Sequence, residues 1–152
     1  MKALIAGSFD PITVAHEDLI IRAAAIFDEV IVCAFDNSAK RYIYTQRERF
    51  DHLKAVAEQY ENVFADTSVM MVTEYAEENG IDVIVKGART ATDFEDEFRQ
   101  FCINRELLPG IETVILPSRP ELSFISSTMV RELMKYEKDY KPYVPAAVRD
   151  LL

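Results

Sequence analysis

The sequence predicts an α/β protein with a Rossmann-like, doubly wound parallel sheet of five strands in the order 3-2-1-4-5 and helices on both faces. Short apolar runs alternate along the chain with segments that repeat apolar residues at helical spacing. The run Glu29–Phe35 is rich in β-branched residues, which is typical of a strand buried on both faces. Strands that alternate with helices form a parallel sheet through right-handed crossovers.

The elements follow one another without a repeat or a linker. We predict strands over residues 2–6, 29–35, 63–65, 81–85 and 113–116. We predict helices over residues 15–27, 45–60, 72–79, 93–108, 126–136 and 145–152. Gly80 and Gly110 stop two of these helices, and residues 117–124, with two prolines, form the most loop-like segment.

Composition narrows the class of protein. The 152 residues are 49% hydrophobic, which is enough to fill the core of one domain. No apolar run approaches the roughly 20 residues of a membrane-spanning helix, and no signal peptide is evident, so a cytoplasmic protein is expected. A net charge of −9 argues against a nucleic-acid surface. Cys33 and Cys102 are expected to be small core residues rather than zinc ligands.

Two glycines mark the expected ligand site. In such a sheet, ligands bind outside the carboxyl ends of the strands, here between strands 1 and 4. Gly7 and Gly87 follow these two strands, where each allows a backbone to approach a ligand or simply to turn. Neither belongs to a G-x-G-x-x-G or a P-loop motif, so a dinucleotide dehydrogenase and a P-loop NTPase are both unsupported.

One histidine is placed at the start of the first helix. Thr13 is a plausible N-cap, which makes His16 the third helical residue. The positive end of the helix disfavours a second positive charge, so we expect a neutral imidazole that donates one hydrogen bond to a phosphate oxygen. The other histidine, His52, lies among charged residues and is expected on a solvated helix surface.

Cations and hydroxyls recur at the same edge of the predicted sheet. Lys40 and Arg41 follow strand 2, Lys86 ends strand 4, and Arg89 follows soon after. In an acidic chain this placement concentrates positive potential at one edge.

The segment after strand 5 opens a helix with three hydroxyl residues. Ser126, Ser127 and Thr128 exceed what capping requires, and together with free N–H groups they suit a polyphosphate, with Arg131 one turn further on. A capped helix with an ion-paired arginine is the alternative interpretation.

These motifs resemble those of the bacterial phosphopantetheine adenylyltransferases, in the nucleotidyltransferase superfamily with a [HT]-x-G-H signature. The resemblance spans nearly the whole chain and rests on GSFDPIT with His16, KGAR with the following DFE and Glu97, Asn104-Arg105, and SFISS with Val130. It implies one nucleotidyltransferase domain over residues 1–152 that moves AMP from ATP to 4′-phosphopantetheine. The products are dephospho-coenzyme A and pyrophosphate, formed by direct in-line attack without a covalent enzyme intermediate, as a step of coenzyme A biosynthesis.

The resemblance also implies a set of binding residues. The ATP-binding positions carry over to Ser8, Phe9, His16, Gly87, Ala88, Arg89, Glu97, Leu122, Ser123, Phe124, Ile125, Ser126, Ser127 and Thr128. The phosphopantetheine positions carry over to Ser8, Lys40, Val72 and Lys86. The family further implies Mg²⁺ bound through the ATP phosphates without direct protein ligands, a homohexamer, and coenzyme A as a feedback ligand.

The catalytic roles expected from this resemblance fall to His16, Lys40 and Ser8. His16 and Lys40 hold the α-phosphate in the transition state, and Ser8 with Lys86 positions the attacking phosphate. Arg89 and the turn over residues 126–128 hold the β- and γ-phosphates with Mg²⁺.

Several positions depart from the family pattern. Ala15 stands where the signature has glycine, Lys86 replaces the usual arginine, and Ser8 replaces a common threonine. Asp96 and Leu122 stand where aromatic residues are frequent. Two alternatives therefore stay open: a sister nucleotidyltransferase with another phosphorylated acceptor, such as nicotinate mononucleotide or glycerol phosphate, and a non-catalytic paralogue that binds ATP or coenzyme A.

Overall fold

The computed structural model describes residues 1–37, 39 and 41–152. Its five-stranded sheet has the order β3-β2-β1-β4-β5, and every neighbouring pair is parallel. The strands are β1 (Lys2–Gly7), β2 (Glu29–Phe35), β3 (Val63–Ser68), β4 (Val83–Ala88) and β5 (Glu112–Pro117). The helices are α1 (Val14–Ala24), α2 (Gln46–Ala57), α3 (Val72–Glu78), α4 (Ala91–Leu107) and α5 (Ser127–Lys135). The predicted fold class and strand order are confirmed.

The two faces of the sheet carry separate hydrophobic cores. Alternate residues of a strand point to opposite faces, so Ala3 and Ile5 pack with α1, α2 and α5 while Leu4 packs with α3. The same alternation separates Val30 from Ile31 in β2. Burial on both faces explains why the central strands are almost purely apolar. Within the described ranges, no helix is both long and apolar enough to cross a bilayer.

Some predicted boundaries are wrong because the extent of strand pairing, and not the extent of the apolar run, sets where a strand begins and ends. Strand β3 continues to Ser68, which pairs with Phe35 of β2. Strand β4 begins at Val83 and continues to Ala88, which pairs with Pro117 of β5. The predicted helix over residues 145–152 is also wrong, since only a 3₁₀ turn forms there, at Ala146–Val148. A second 3₁₀ turn, Pro120–Leu122, interrupts the predicted loop after β5.

Two predictions about exposure are wrong. His52 is 1% exposed rather than solvated, because it shares the buried side of α2 with Leu53 and the C-terminal 3₁₀ turn packs on that helix. Its ring meets the Tyr44 ring edge-on, with centroids 4.9 Å apart. Cys33 is buried as predicted, but Cys102 is exposed, on the solvent side of α4.

Candidate functional site

A cleft of about 640 Å³ opens beyond the carboxyl ends of β1 and β4. Its walls come from the loop after β1, the first turns of α1, the end of β4, the near side of α4 and the turn before α5. Of the residues predicted for the site, the cleft is lined by Ser8, Phe9, His16, Lys86, Gly87, Arg89, Glu97, Leu122, Ile125, Ser126, Ser127 and Thr128. The fold therefore brings distant segments together where the sheet topology predicts a ligand.

Other predicted residues lie elsewhere. Of those the structure describes, Ala88, Ser123, Phe124 and Val72 do not line the cleft. The carbonyl of Ala88 accepts a hydrogen bond from the N–H of Ser118 between β4 and the chain after β5. Phe124 is 60% exposed, and Val72 packs against the core on the α3 side of the sheet. Lys40, predicted for catalysis and acceptor binding, lies outside the described residues.

The two glycines at the strand ends differ in how much space the protein leaves for a side chain at each position. A side chain at Gly7 would place its Cβ 3.0 Å from the Phe9 ring, which packs directly over this position. Phe9 itself has a φ of 49°, and its buried ring meets the His16 ring edge-on at a centroid distance of 5.1 Å. Gly7 therefore makes room for a supporting residue of the cleft rather than for a ligand. A Cβ at Gly87 would meet only Leu19 at an ordinary 3.4 Å, so packing within the protein does not require glycine there.

The hydrogen bonds of Thr13 fix the tautomer of His16. Thr13 is the N-cap of α1 and His16 its third residue, as predicted. The backbone N–H of Thr13 donates to Nδ1 of His16 over 3.0 Å, so Nδ1 is an acceptor and the ring proton lies on Nε2. Burial and the nearby Arg89 guanidinium lower the pKa of His16 to about 4. At neutral pH the cleft thus holds an uncharged imidazole with one N–H to donate.

Two of the predicted cations that line the cleft are paired with carboxylates, while Arg131, which also lines it, donates to the backbone carbonyl of Asp10. Lys86 Nζ lies 3.1 Å from Glu97 Oε2, and Arg89 Nε lies 3.0 Å from Asp93 Oδ2. A second Arg89 nitrogen donates to the carbonyl of Ile125 over 3.4 Å, which links β4 to the turn before α5. The pairs are partly solvated, so each is weak and an anionic ligand can displace the carboxylate.

Two further ion pairs at the cleft share one carboxylate, and they are not predicted from the sequence. Asp18 accepts from Arg119 over 2.8 Å and from Arg22 over 3.4 Å, and all three residues line the cleft. The i, i+4 spacing of Asp18 and Arg22 on the first helix was the one available signal. Arg119 could not be placed, because its partner lies about a hundred residues away in the sequence.

The three hydroxyls before and within α5 bind protein groups rather than standing free. Ser126 caps α5 by accepting from the N–H of Met129 over 3.1 Å. Ser127 donates to the carbonyl of Pro11 over 2.7 Å, and Thr128 accepts from Arg131 over 3.1 Å. Only one of the three hydroxyls caps the helix, and all three line the cleft, so their proposed contact with a polyphosphate stays a prediction. What α5 offers the cleft is the set of first-turn N–H groups, which have no acceptor within the helix.

The neutral state of His16 can be tested by titration. A solvated histidine titrates near pH 6.5, but with a pKa of about 4 His16 takes up a proton only in clearly acidic solution. We expect its Hε1 proton resonance to stay constant between about pH 5.5 and 8.5, measured by NMR. The chain has two histidines, so a His16→Gln variant assigns the resonance. A midpoint near 6.5 for His16 contradicts the lowered pKa and with it the neutral state at this site.

The chain can now be compared with known proteins. The model of the cytidylyltransferase-like family matches residues 4–133. The phosphopantetheine adenylyltransferase of Alkaliphilus metalliredigens (strain QYMF) is 39% identical over 142 residues, which are 93% of this chain and 90% of that protein. The phosphopantetheine adenylyltransferase of Caldanaerobacter subterraneus subsp. tengcongensis is 37% identical over 150 residues, which are 99% of this chain and 94% of that protein.

Solved structures agree at the level of the fold. Nicotinic acid mononucleotide adenylyltransferase from Plasmodium falciparum, solved in complex with NaAD, aligns with a TM-score of 0.65 over 99% of this chain and 93% of that chain. At 15% sequence identity this likeness concerns the fold alone. The sequence relatives are closer and extend over nearly the whole chain, through every segment that lines the cleft. The chain belongs to the cytidylyltransferase-like family and, within it, to the phosphopantetheine adenylyltransferases.

Proposed function

We propose that the protein transfers AMP from ATP to 4′-phosphopantetheine and releases pyrophosphate, forming dephospho-coenzyme A in coenzyme A biosynthesis. The observation that carries this proposal is the convergence of the neutral His16, Lys86, Arg89 and the first turn of α5 on one cleft. Relatives named phosphopantetheine adenylyltransferase support the same activity. Residues 1–152 act as one nucleotidyltransferase domain, and the cytoplasm, where ATP is available, is the proposed location.

The reaction needs no nucleophile from the protein. An oxygen of the acceptor phosphate attacks the α-phosphorus of ATP, and the bond from that phosphorus to the oxygen shared with the β-phosphate breaks as pyrophosphate leaves. The protein has to align the two ends and stabilise charge on the oxygens between them. In this proposal Nε2–H of His16 donates to an α-phosphate oxygen, and Lys40 joins it there.

The acceptor occupies the side of the cleft nearer β2 and β3. Ser8 and Lys86 position the attacking phosphate, and binding transfers the Lys86 ammonium from Glu97, 3.1 Å away, to a more highly charged anion. Lys40 and Val72 follow β2 and β3, so a pantetheine arm extends along these strand ends. Coenzyme A contains both the adenylyl and the pantetheine parts, and we propose that it binds the same cleft as a feedback ligand.

The β- and γ-phosphates lie against Arg89 and the first-turn N–H groups of α5, together with Mg²⁺. Among the described residues, no group of three or more His, Cys, Asp or Glu side chains is arranged to hold a metal ion. The carboxylates of Glu97, Asp93 and Asp18 are already paired with cations. We therefore propose that phosphate oxygens and water hold Mg²⁺, which when bound offsets the charge of the triphosphate.

The acceptor can be identified by measuring pyrophosphate release with ATP, Mg²⁺ and a panel of phosphorylated compounds. We expect release with 4′-phosphopantetheine and none with nicotinate mononucleotide or glycerol 3-phosphate, because only the first extends from the cleft to Val72. Release with another acceptor alone identifies a sister enzyme. ATP binding without release for any acceptor identifies a non-catalytic paralogue, an outcome that Ala15 and Lys86 make worth testing.

Replacement of His16 tests the proposed transition-state contact. We expect His16→Ala to lower kcat by about 10²-fold or more, because one preorganised donor to the reacting phosphate is lost. ATP affinity, measured by calorimetry, should change by only a few-fold, since Arg89 and α5 still hold the other phosphates. Equal losses in turnover and ATP affinity would show that His16 binds the ground state and transition state alike.

We further propose that the protein forms a homo-oligomer, a hexamer by family resemblance, through the outer face of α4 and β5. Phe94, Phe98, Ile103 and Leu107 of α4 are each about half exposed, and Val114 of β5 is 36% exposed. Together with Phe101 and Ile115 the two elements form an apolar groove. An apolar face of this extent is typical of a protein interface.

The oligomer is tested by sedimentation of the wild type and Phe98→Glu. We expect the wild type to sediment at six times the chain mass of 17.4 kDa and Phe98→Glu to dissociate, because a carboxylate cannot be buried unpaired at an apolar contact. Phe64→Glu is the matched control, since Phe64 is equally exposed, at 52%, but lies on β3 at the opposite edge of the sheet. A monomeric wild type, or dissociation by Phe64→Glu instead, contradicts this interface.

A further inference from the structure

A buried arginine lies behind the cleft and is not used by the proposed mechanism. Arg49 of α2 is 1% exposed, although a guanidinium is one of the most costly groups to bury without partners. It does not line the cleft itself. Its contacts all point toward the two chain segments that carry predicted phosphate-binding residues.

The first contact is with the loop after β1. Nη1 of Arg49 donates to the carbonyl of Ser8 over 2.8 Å. Because Ser8 lines the cleft and Arg49 does not, this bond fixes the peptide of a cleft residue through a group outside the cleft.

The other contacts are with the segment after β2. Nη2 of Arg49 donates to the carboxylate of Asp36, and the guanidinium lies over the Tyr42 ring, 4.1 Å from its centroid. The hydroxyl of Tyr42 in turn accepts from the N–H of Asn37 over 2.7 Å. Asp36 and Tyr42 lie on either side of Lys40 in the sequence, so the chain is attached to the same guanidinium before and after that lysine.

A second bridge joins the same two segments. The carboxylate of Asp10 accepts from the N–H groups of Ile43 and Tyr44, each over 3.0 Å. The loop after β1 and the segment after β2 are therefore connected twice, once through a buried carboxylate and once through Arg49. Together these contacts fix the position of Ser8 relative to residues 42–44.

We propose that Arg49 is a positioning residue for adenylyl transfer, which sets the geometry of Ser8 relative to residues 42–44 after β2. The proposal rests on the function proposed above. Arginine is required because its planar fork directs two N–H groups to a carbonyl and a carboxylate while its face stacks on an aromatic ring. Lysine keeps the charge but offers a point donor that cannot maintain all three contacts.

We expect replacement of Arg49 to affect turnover rather than ATP binding. The ion pair of Arg89 with Asp93 and the first turn of α5 are proposed to hold the β- and γ-phosphates, and Arg49 contacts neither. A displacement of about 1 Å between reacting groups lowers a rate by about 10²-fold. We expect Arg49→Lys to lower kcat by about that factor while the KM for ATP changes by less than about threefold.

Arg47→Lys is the matched control. Arg47 precedes Arg49 by two residues on the same helix, but it is 80% exposed, and its partners among the described residues are Asp51 and the Phe50 ring of its own helix. This control should retain wild-type kcat and KM. Wild-type kcat in Arg49→Lys, or an equal loss in Arg47→Lys, overturns the proposal.

Amide hydrogen exchange, followed by mass spectrometry, provides a readout independent of activity. Arg49→Lys should accelerate exchange in peptides covering residues 8–13 and 41–45, relative to wild type and Arg47→Lys, while residues 52–58 of α2 stay protected. Unchanged exchange in the two segments overturns the proposal, and faster exchange everywhere shows a general loss of stability and also overturns it. If the wild type releases no pyrophosphate, the proposed function fails. The hydrogen-exchange comparison still decides whether Arg49 fixes the two segments.

Asp36→Asn covers the case in which Arg49→Lys does not fold. Asp36 is 36% exposed, so the substitution removes the charge partner of Arg49 without emptying the core. We expect faster exchange in residues 41–45 and a fall in kcat of about 10-fold, a smaller effect because the bond to Ser8 and the Tyr42 stack remain. No change in either measurement counts against the proposal.

Discussion

The loop after β1 depends on hydrogen bonds that it receives from distant parts of the chain. Its carbonyls have left the strand ladder and need donors, because buried backbone oxygens are rarely left unpaired. Ser8 accepts from Arg49 of α2, Asp10 from Arg131 of α5, and Pro11 from Ser127. The cleft can only form when α2 and α5 are both packed against the sheet. The local sequence favours a loop after β1, but hydrogen bonds from α2 and α5 fix its conformation.

The same constraint explains how an acidic protein with a charge of −9 maintains a site for anions. Arg131 lines the cleft and donates to the neutral carbonyl of Asp10, so it brings positive potential to the cleft. Two other cations at the surface of the cleft are paired with carboxylates: Lys86 with Glu97 and Arg89 with Asp93. Those pairs satisfy the cations while the cleft is free of ligand and can be exchanged for phosphate, because they are partly solvated.

Features that depend on local sequence could be predicted, and features that depend on contacts between distant segments could not. The sheet order, the N-cap at Thr13 and the helical position of His16 are set by local periodicity and capping, so they could be predicted. The burial of His52 and the pairing of Arg119 with Asp18 depend on which segments pack together, and no local pattern encodes that. Charged neighbours in the sequence made His52 resemble a surface residue, although α2 turns it inward.

Pairing with carboxylates also explains why a neutral donor is well suited to the centre of the cleft. A lysine or arginine at position 16 would attract one of the nearby acidic groups and would have to be released before it could contact a phosphate. His16 carries no charge at neutral pH, because burial and Arg89 keep its pKa near 4. Its only ring acceptor, Nδ1, is already occupied by the N–H of Thr13. The remaining Nε2–H is therefore oriented before the substrate arrives, and little reorganisation is needed when negative charge develops on the reacting phosphate.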